Sequence, residues 1–350
     1  MTSLIRNNDH QIEVTAATSG PHVSAPTTRN RELKTLIYKG KGQVELQDVP
    51  KPDCPPGYAL IQIEASAICG SERQALIHGY PGNTGHEACG IVVSPTTPSF
   101  ERGQRVGLYA IQSCRKCTRC RSGQEIHCPT ASVSSDWHSE FVALPLAALR
   151  RLPPGTPPDI GVLITGDTLG LPTRALSRAP SSPGETVLVV GLGPTGLGHI
   201  ALRAHSGANV IALGGPEIRQ RLALKLGASE VLRSPQHLRS KPSLVIECSG
   251  RAEQIIDALE SVADGGTVIE SAGCSTELRL PSSDHFVRRE ITHTGVFYYA
   301  SENYDEMLRI ATSGAPIRPI CTHYVTAQRA QQSIDDFLDR QTGKVILQWS

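Results

Sequence analysis

The first half of the chain carries apolar residues in short alternating runs, which is the pattern of β-strands. Residues 58–65 alternate apolar and polar side chains with a period of two, and residues 35–38 and 43–46 repeat the pattern in shorter segments. Prolines and a glycine between 50 and 57 mark turns between these strands. Further β-like segments follow at 90–93, 105–108 and 140–144. The pattern predicts an irregular, mainly antiparallel β domain.

The pattern changes after a proline-rich stretch at 152–158. Beyond it, continuous apolar runs alternate with helical segments, which is typical of β-α-β units. The predicted strands are 185–191, 209–213, 243–248 and 266–270, and the predicted helices end near 206, 226 and 263. The alternation predicts a parallel, doubly wound sheet, so the fold class is α/β. The C-terminal residues predict two more helices and a last strand, at 303–313, 327–340 and 344–348.

Length and charge narrow the function classes. A chain of 350 residues is too long to fold around a single hydrophobic core, so two domains are expected. The net charge of +1 gives no support for a nucleic-acid or anionic-membrane surface, and no apolar run reaches the ~18 residues needed to cross a bilayer. Residues 1–31 are polar, lack the apolar segment of a secretory signal and predict a disordered tail. These features predict a cytoplasmic protein without nucleic-acid or membrane partners.

Four cysteines crowd into fifteen residues with the spacing C-x2-C-x2-C-x7-C: Cys114, Cys117, Cys120 and Cys128. Short spacings let one loop surround a zinc ion with four thiolates, and a filled shell leaves no position for substrate. The cluster therefore predicts a structural zinc site, with an iron–sulfur cluster as the weaker alternative. The other cysteines without a spacing pattern, Cys54, Cys89, Cys248, Cys274 and Cys321, are interpreted as packing residues.

A second metal site is indicated by Cys69 and His86, seventeen residues apart. A catalytic zinc needs three protein ligands and one open position. Asp167 is the candidate for the third ligand, because it lies in an apolar stretch where an unpaired carboxylate is costly. Glu87, beside His86, is a candidate outer-shell group or alternative ligand. Alone, Cys69 and His86 would more often be packing residues, so this prediction depends on the other motifs.

A glycine-rich loop follows the strand 187–190 and opens a helix. Its residues are Gly191, Leu192, Gly193, Pro194, Thr195 and Gly196. Glycines in this position permit a tight turn and let backbone N–H groups approach a pyrophosphate at the helix N-terminus. The loop therefore predicts a dinucleotide site.

The end of the next strand bears on the choice of cofactor. NAD sites usually carry Asp or Glu there for the ribose hydroxyls, whereas this strand ends at Gly214. Arg219 or Arg221 in the following turn could bind a 2′-phosphate, which favours NADP(H) over NAD(H). The alternatives are that both arginines are solvated helix residues and that Glu217 contacts a ribose.

These motifs together resemble the zinc-containing medium-chain dehydrogenase/reductase family, which includes alcohol, sorbitol and threonine dehydrogenases. The resemblance covers about 33–348 and includes the four-cysteine lobe, Cys69-Gly-Ser, Gly85-His-Glu and the glycine-rich loop. It implies a GroES-like, mainly β catalytic domain over 32–158 and 297–350. It also implies a Rossmann cofactor domain over 159–296 and a homodimer or homotetramer.

The resemblance also implies roles for single residues. It implies that Cys69, His86 and Asp167 hold the catalytic zinc; Glu87 is counted with the catalytic residues because of its position beside His86. It implies that the Ser71 hydroxyl binds the substrate oxygen and begins a proton relay, and that Gly273 and Phe297 lie near the nicotinamide. Three departures stand out: Glu72 replaces a usual Asp, Gln74 replaces a relay His of some members, and the spacing from Cys69 to His86 is short.

The predicted function is hydride transfer between NADP(H) and a secondary alcohol or ketone. The chain has only 5 Phe, 2 Trp and 8 Tyr, which favours a polar substrate such as a sugar, cyclitol or polyol. The alternatives are a C=C-reducing or non-redox enzyme on the same scaffold, a zinc-ribbon regulator that senses nucleotides, and an inactive homologue. The near-neutral charge and the Cys69/His86 pair weigh against the regulator.

Overall fold

The computed structural model describes residues 32–94, 97 and 99–349 of the chain. The predicted disordered tail over 1–31 lies outside the described residues. Across the described ranges, no helix is long and apolar enough to span a membrane.

The first described part of the chain forms an antiparallel β domain, as its alternating pattern predicts. Its elements are β1 (Leu33–Gly40), β2 (Gln43–Val49), β3 (Tyr58–Ile68), α1 (Arg73–His78), β4 (Ala88–Ser94), β5 (Arg105–Leu108), β6 (Ile111–Gln112), α2 (Thr118–Arg121), β7 (Ser132–Val133), β8 (Phe141–Pro145) and β9 (Leu149–Arg151). The longest strand, β3, pairs antiparallel with both β4 and β8. Because β3 and β4 are neighbours, the end of one strand lies beside the start of the other.

Two helices then lead into a parallel α/β domain. The elements are α3 (Pro158–Thr165), α4 (Asp167–Arg178), β10 (Thr186–Val190), α5 (Pro194–His205), β11 (Asn209–Leu213), α6 (Glu217–Lys225), β12 (Ala228–Leu232), β13 (Leu244–Glu247), α7 (Ala252–Ser261), β14 (Thr267–Glu270), α8 (Ser283–Arg289) and β15 (Thr292–Gly295). The strand order in this parallel sheet is β12-β11-β10-β13-β14-β15. Successive strands are added on one side of β10 up to β12 and on its other side from β13 onward, so the order switches next to β10. Ligands bind at such a switch point, outside the carboxyl ends of the strands.

The C-terminal segment returns to the first domain. It contains α9 (Tyr304–Thr312), β16 (Cys321–Thr326), α10 (Ala330–Leu338) and β17 (Lys344–Gln348). Strand β17 pairs antiparallel with β3, and Val345 lies opposite Ile68. This register brings Lys344 close to Cys69, although 275 positions separate them in the numbering.

The sequence pattern did not predict α3 and α4. Residues Gly161 to Thr165 of α3 are all buried, because the helix packs against β3, β4 and β5 as well as α4 and α9. A helix buried on several sides carries no polar stripe, so its residues lack the 3.6-residue period that identifies an amphipathic helix. In α4, Pro172 further weakens the helical signal.

Candidate active site and metal centres

The four clustered cysteines form a small lobe around the short helix α2. Their sulfur atoms lie within 4.8 Å of one another, and none forms a disulfide. The sulfur of Cys120 lies 3.9 Å from that of Cys114 and 3.5 Å from that of Cys117. A tetrahedron with Zn–S bonds of ~2.3 Å has edges of roughly 3.8 Å. The spacing of the four sulfur atoms therefore matches a closed tetrahedral zinc site.

Cys69 and His86 meet because β3 and β4 are adjacent. Cys69 directly follows β3, and His86 lies two residues before β4. The Ala67 N–H donates to the Glu87 carbonyl at 2.9 Å, which joins the two strand ends. The Nδ1 atom of His86 lies 2.9 Å from the Thr84 carbonyl, so Nε2 is left to face the metal position.

Asp167 completes this group from the N-terminus of α4. Its Oδ2 atom lies 3.4 Å from the Cys69 sulfur and 3.5 Å from Nε2 of His86. Its Oδ1 atom is buried and has no hydrogen-bond partner among the described residues. One thiolate, one imidazole and one carboxylate, converging at these distances, match the donor set of an open zinc site. The structure thus brings together the three residues that the sequence proposed as ligands.

Glu87 lies behind these three residues and outside the lining of the cavity. Its carboxylate accepts the Asp167 N–H at 2.8 Å and forms an ion pair with Lys344. Both side chains are almost completely buried. Burial alone would lower the pKa of Lys344, but the adjacent Glu87 carboxylate raises it. The geometry therefore gives Glu87 a positioning role for Asp167 rather than contact with substrate.

A cavity of about 520 Å³ opens beside the three candidate ligands. His86 and Asp167 form one end of it. Its other lining residues are Ser71, Gln74, Ala75, Tyr80, Thr84, Val133, Ser135, Leu171, Ser271, Gly273, Val296, Phe297 and Tyr298. Three residues singled out from the sequence, Ser71, Gly273 and Phe297, therefore lie in the same cavity as the ligands.

The cavity lining combines polar and apolar side chains. Besides His86 and Asp167, its described lining contains no charged side chain. Thr84 Oγ1 is buried there without a hydrogen-bond partner among the described residues, and Ser135 Oγ is buried beside the Tyr80 hydroxyl. A buried hydroxyl without a partner costs free energy that a ligand hydroxyl can recover. Gln74 also lines the cavity, and its Oε1 lies 3.1 Å from Nε2 of His78.

The glycine-rich loop joins β10 to α5 at the switch point of the parallel sheet. Gly191 has a φ of +89°, and a Cβ on Gly196 would lie 2.0 Å from the Gly191 carbonyl oxygen. A side chain at either position is therefore excluded by strain or by contact. Gly193 caps the N-terminus of α5, with Pro194 as the first helical residue and Thr195 next. This is the strand–loop–helix context in which backbone N–H groups bind a pyrophosphate.

Four arginines line the cleft beside this loop. Arg73, Arg219, Arg251 and Arg340 surround a space of about 280 Å³ together with the glycine-rich loop. Arg251 pairs with Glu253 at 3.7 Å, whereas the other three guanidiniums have no ion-pair partner among the described residues. Burial and, to a smaller extent, the nearby Arg340 and Arg73 together lower the pKa of Arg219 to about 10. In contrast, Arg221 is exposed and pairs with Glu217 at 3.3 Å.

Several residues of the site carried no sequence signal. These are Lys344, His138, Arg73, Arg340, Thr84 and Ser135. Lys344 and Arg340 come from the C-terminal segment, far from the metal and nucleotide motifs along the chain. Only the return of β17 to β3 brings that segment to the site.

Comparison with known proteins defines the class. The chain matches the family model "Alcohol dehydrogenase GroES-like domain" over residues 55–154 and the model "Zinc-binding dehydrogenase" over residues 194–313. The two matches together cover more than half of the chain. The protein belongs to the zinc-containing medium-chain dehydrogenase/reductase family, and it is a zinc-dependent oxidoreductase of the alcohol dehydrogenase type with a nicotinamide cofactor.

Similar proteins extend over nearly all of the chain. It is 28% identical to L-threonine 3-dehydrogenase of Marinomonas sp. (strain MWYL1), with 91% of this chain and 100% of that protein covered. It is 29% identical to L-galactonate-5-dehydrogenase of Escherichia coli (strain K12), with 81% and 86% covered. The fold matches alcohol dehydrogenase TADH from Thermus sp. ATN1 with a TM-score of 0.82 at 24% identity, over 90% of this chain and 99% of that one. The predicted α/β fold class, GroES-like plus Rossmann, is confirmed.

Proposed function

We propose that this enzyme transfers hydride between NADP(H) and a secondary alcohol or ketone of a polar, uncharged substrate such as a cyclitol, sugar or polyol. The observation that carries the proposal is the convergence of Cys69, His86 and Asp167 beside a cavity that is lined by hydroxyl groups. In this proposal the three residues hold a catalytic zinc, and the four-cysteine lobe holds a structural one.

Each residue of the site has a defined task in this proposal. A zinc ion held by the three ligands supplies Lewis acidity toward the substrate oxygen, and the nicotinamide supplies or accepts the hydride. Ser71 Oγ hydrogen-bonds the substrate oxygen and passes its proton. Gln74 cannot titrate, so it offers no continuation of this relay. Glu87 holds the Asp167 backbone in place by accepting its N–H.

The proposed preference for NADP(H) is supported by charge. Gly214 leaves no carboxylate at the tip of β11, where an acidic side chain would repel a 2′-phosphate. Arg219 is half-buried and lines the nucleotide cleft. Among the described residues, the one acceptor of its guanidinium is the Thr342 carbonyl, at 2.6 Å from Nε. A cofactor phosphate would neutralise the mutual repulsion of Arg219, Arg73 and Arg340.

We expect Arg219→Ala to weaken NADPH binding by about 10- to 100-fold, because a charge-assisted hydrogen bond contributes about 1.5–3 kcal/mol. NADH binding should change by less than about threefold, since NADH has no 2′-phosphate. Fluorescence titration of the zinc-loaded protein with each nucleotide measures both constants. Arg221→Ala is the matched control, because Arg221 lies on the same helix but is exposed and paired with Glu217.

Equal weakening of both nucleotides in Arg219→Ala would contradict the preference, because it would assign the guanidinium to a phosphate that both cofactors carry. Wild-type protein that binds NADH as tightly as NADPH would contradict it as well.

The proposed substrate class is supported by the lining of the cavity. A carboxylate, ammonium or phosphate group on the substrate would have no opposite charge to pair with in the described lining, apart from the metal ligands. The hydroxyl groups of Thr84 and Ser135 can each donate a hydrogen bond to a substrate hydroxyl or accept one from it.

We expect Thr84→Val and Ser135→Ala each to lower kcat/KM for a cyclitol by about 2- to 10-fold, the worth of one neutral hydrogen bond. Cyclohexanol has the same ring without the extra hydroxyls, so its kcat/KM should not fall in either variant. Steady-state rates of NADP⁺ reduction with myo-inositol and with cyclohexanol give the comparison. Equal losses for the two alcohols, or a wild type that prefers cyclohexanol, would contradict the assignment.

A further inference from the structure

His138 connects the two chain segments that carry Cys69 and His86. Its side chain is completely buried, in the loop between β7 and β8. Its Nδ1 atom lies 2.7 Å from Ser66 Oγ, and its Nε2 atom lies 3.0 Å from Glu72 Oε2. Neither the zinc motifs nor the nucleotide loop contains this residue.

The hydrogen-bond partners assign the tautomer of His138. The indole N–H of Trp349 donates to Ser66 Oγ at 2.8 Å, which leaves the Ser66 hydroxyl proton free to be donated to Nδ1 of His138. The proton of His138 is then on Nε2 and is donated to the Glu72 carboxylate. Every hydrogen-bond donor among these buried groups has an acceptor, so their side chains are held in a single arrangement.

Glu72 passes this constraint to the first metal-ligand segment. Its Oε1 atom accepts the Cys69 N–H at 2.7 Å, while its Oε2 atom accepts from His138 and from the Tyr38 hydroxyl. Through these hydrogen bonds the carboxylate holds the turn that contains both Cys69 and Ser71.

The imidazole of His138 also touches the second metal-ligand segment. A Cβ on Gly85 would lie 2.6 Å from the ring atoms Cδ2 and Nε2 of His138, so the ring lies directly against the backbone that precedes His86. The Asn83 side chain ties the His138 loop to the segment that carries His86, since its Oδ1 accepts the backbone N–H groups of His138 and Gly85 at 3.1 and 3.2 Å.

We propose that His138 is a positioning residue that fixes the separation of Cys69 and His86, and thereby the retention of the catalytic zinc. This inference rests on the metal site proposed above. Removing an outer-shell partner typically costs 10- to 100-fold in metal affinity, because the ligands lose their preset orientation. The longer reach of Glu72, which stands where the family usually has Asp, is what lets one carboxylate contact both Cys69 N–H and His138.

The test compares His138→Phe, which keeps a flat ring but removes both nitrogens, with His138→Gln, whose amide nitrogen can replace the Nε2 donor. The measurement is the zinc content per chain and the rate of zinc release to an excess of chelator, alongside the melting temperature. In His138→Phe we expect one of two zinc ions to leave about 10- to 100-fold faster. The release rate of the lobe zinc should be unchanged. His138→Gln should release zinc within about threefold of the wild-type rate.

Ser66→Ala provides a second variant that does not depend on the folding of His138→Phe. It removes the hydrogen bond to Nδ1, together with the acceptor of the Trp349 N–H, and leaves Glu72 and the ligands intact, so we expect release about 2- to 10-fold faster. A lower melting temperature with unchanged zinc release in His138→Phe and Ser66→Ala would overturn the inference, because His138 would then be structural only. A wild type with a single zinc ion would overturn the metal site itself, which is a distinguishable result.

Discussion

Asp167→Asn is expected to lower kcat for alcohol oxidation by about a thousandfold, since Lewis-acid stabilisation contributes several kcal/mol and ~4 kcal/mol corresponds to this factor. The physical reason is that a neutral amide is a much weaker zinc ligand than a carboxylate, while Cys69 and His86 alone give an incomplete set. Zinc content should fall from about two ions to about one per chain, because the four-cysteine lobe shares no residue with the open site. Elemental analysis and steady-state rates measure the two effects in the same preparation.

The matched control for this change is Asp257→Asn. Asp257 is exposed on α7, so its substitution removes the same charge outside the cavity. It should retain both zinc ions and wild-type rates. An Asp167→Asn protein that keeps two zinc ions and near-normal activity would contradict Asp167 as a ligand. Glu87, the alternative ligand considered from the sequence, would then be the next residue to replace.

Lys344→Met should lower the free energy of unfolding by about 3–5 kcal/mol, the usual cost of breaking a buried ion pair by removing one partner. Methionine fills similar space but leaves the Glu87 carboxylate buried without a cation. Urea denaturation of the zinc-loaded protein measures the change. Lys34→Met is the matched control, because Lys34 pairs with Asp48 at an exposed position and such pairs contribute little.

The double variant Glu87→Gln/Lys344→Met tests the cause of this loss. Glutamine keeps an oxygen for the Asp167 N–H but carries no charge, so most of the lost stability should return. A double variant that is no more stable than Lys344→Met would show that the stranded carboxylate is not the reason. A single variant with wild-type stability would contradict the importance of the ion pair altogether.

The sequence was informative wherever a motif is completed within a few residues. The four cysteines of the lobe lie within fifteen positions, so their convergence needs only one loop and the helix α2. The glycine-rich loop similarly needs only β10 and α5, and its context was visible as an apolar run followed by a helical segment. Alternation and apolar runs predicted an antiparallel domain followed by a parallel one, and the fold has this organisation.

The sequence pattern did not predict elements that are surrounded by apolar residues on all sides, and the reason is physical. The helix α3 has five consecutive buried residues, so no periodic polar positions distinguish it from a strand or loop. Strand β16 was missed because it alternates weakly and lies at the edge of its sheet, where only the pairing with β17 defines it. The assignment of metal, catalytic and cofactor roles to single residues stays a prediction that the experiments above test.

The sequence by itself determined the family, the two kinds of domain, the four-cysteine lobe and the nucleotide loop, because each depends on local spacing or on periodicity. Only the tertiary structure decided which distant groups meet: Asp167 beside Cys69 and His86, Lys344 against Glu87, and His138 between the two ligand segments. These contacts join residues 53 to 257 positions apart, and their partners are set by strand register and helix packing rather than by neighbours in the chain. Where a charged side chain or an imidazole has no partner nearby in the sequence, the tertiary structure rather than a local motif therefore determines its chemistry.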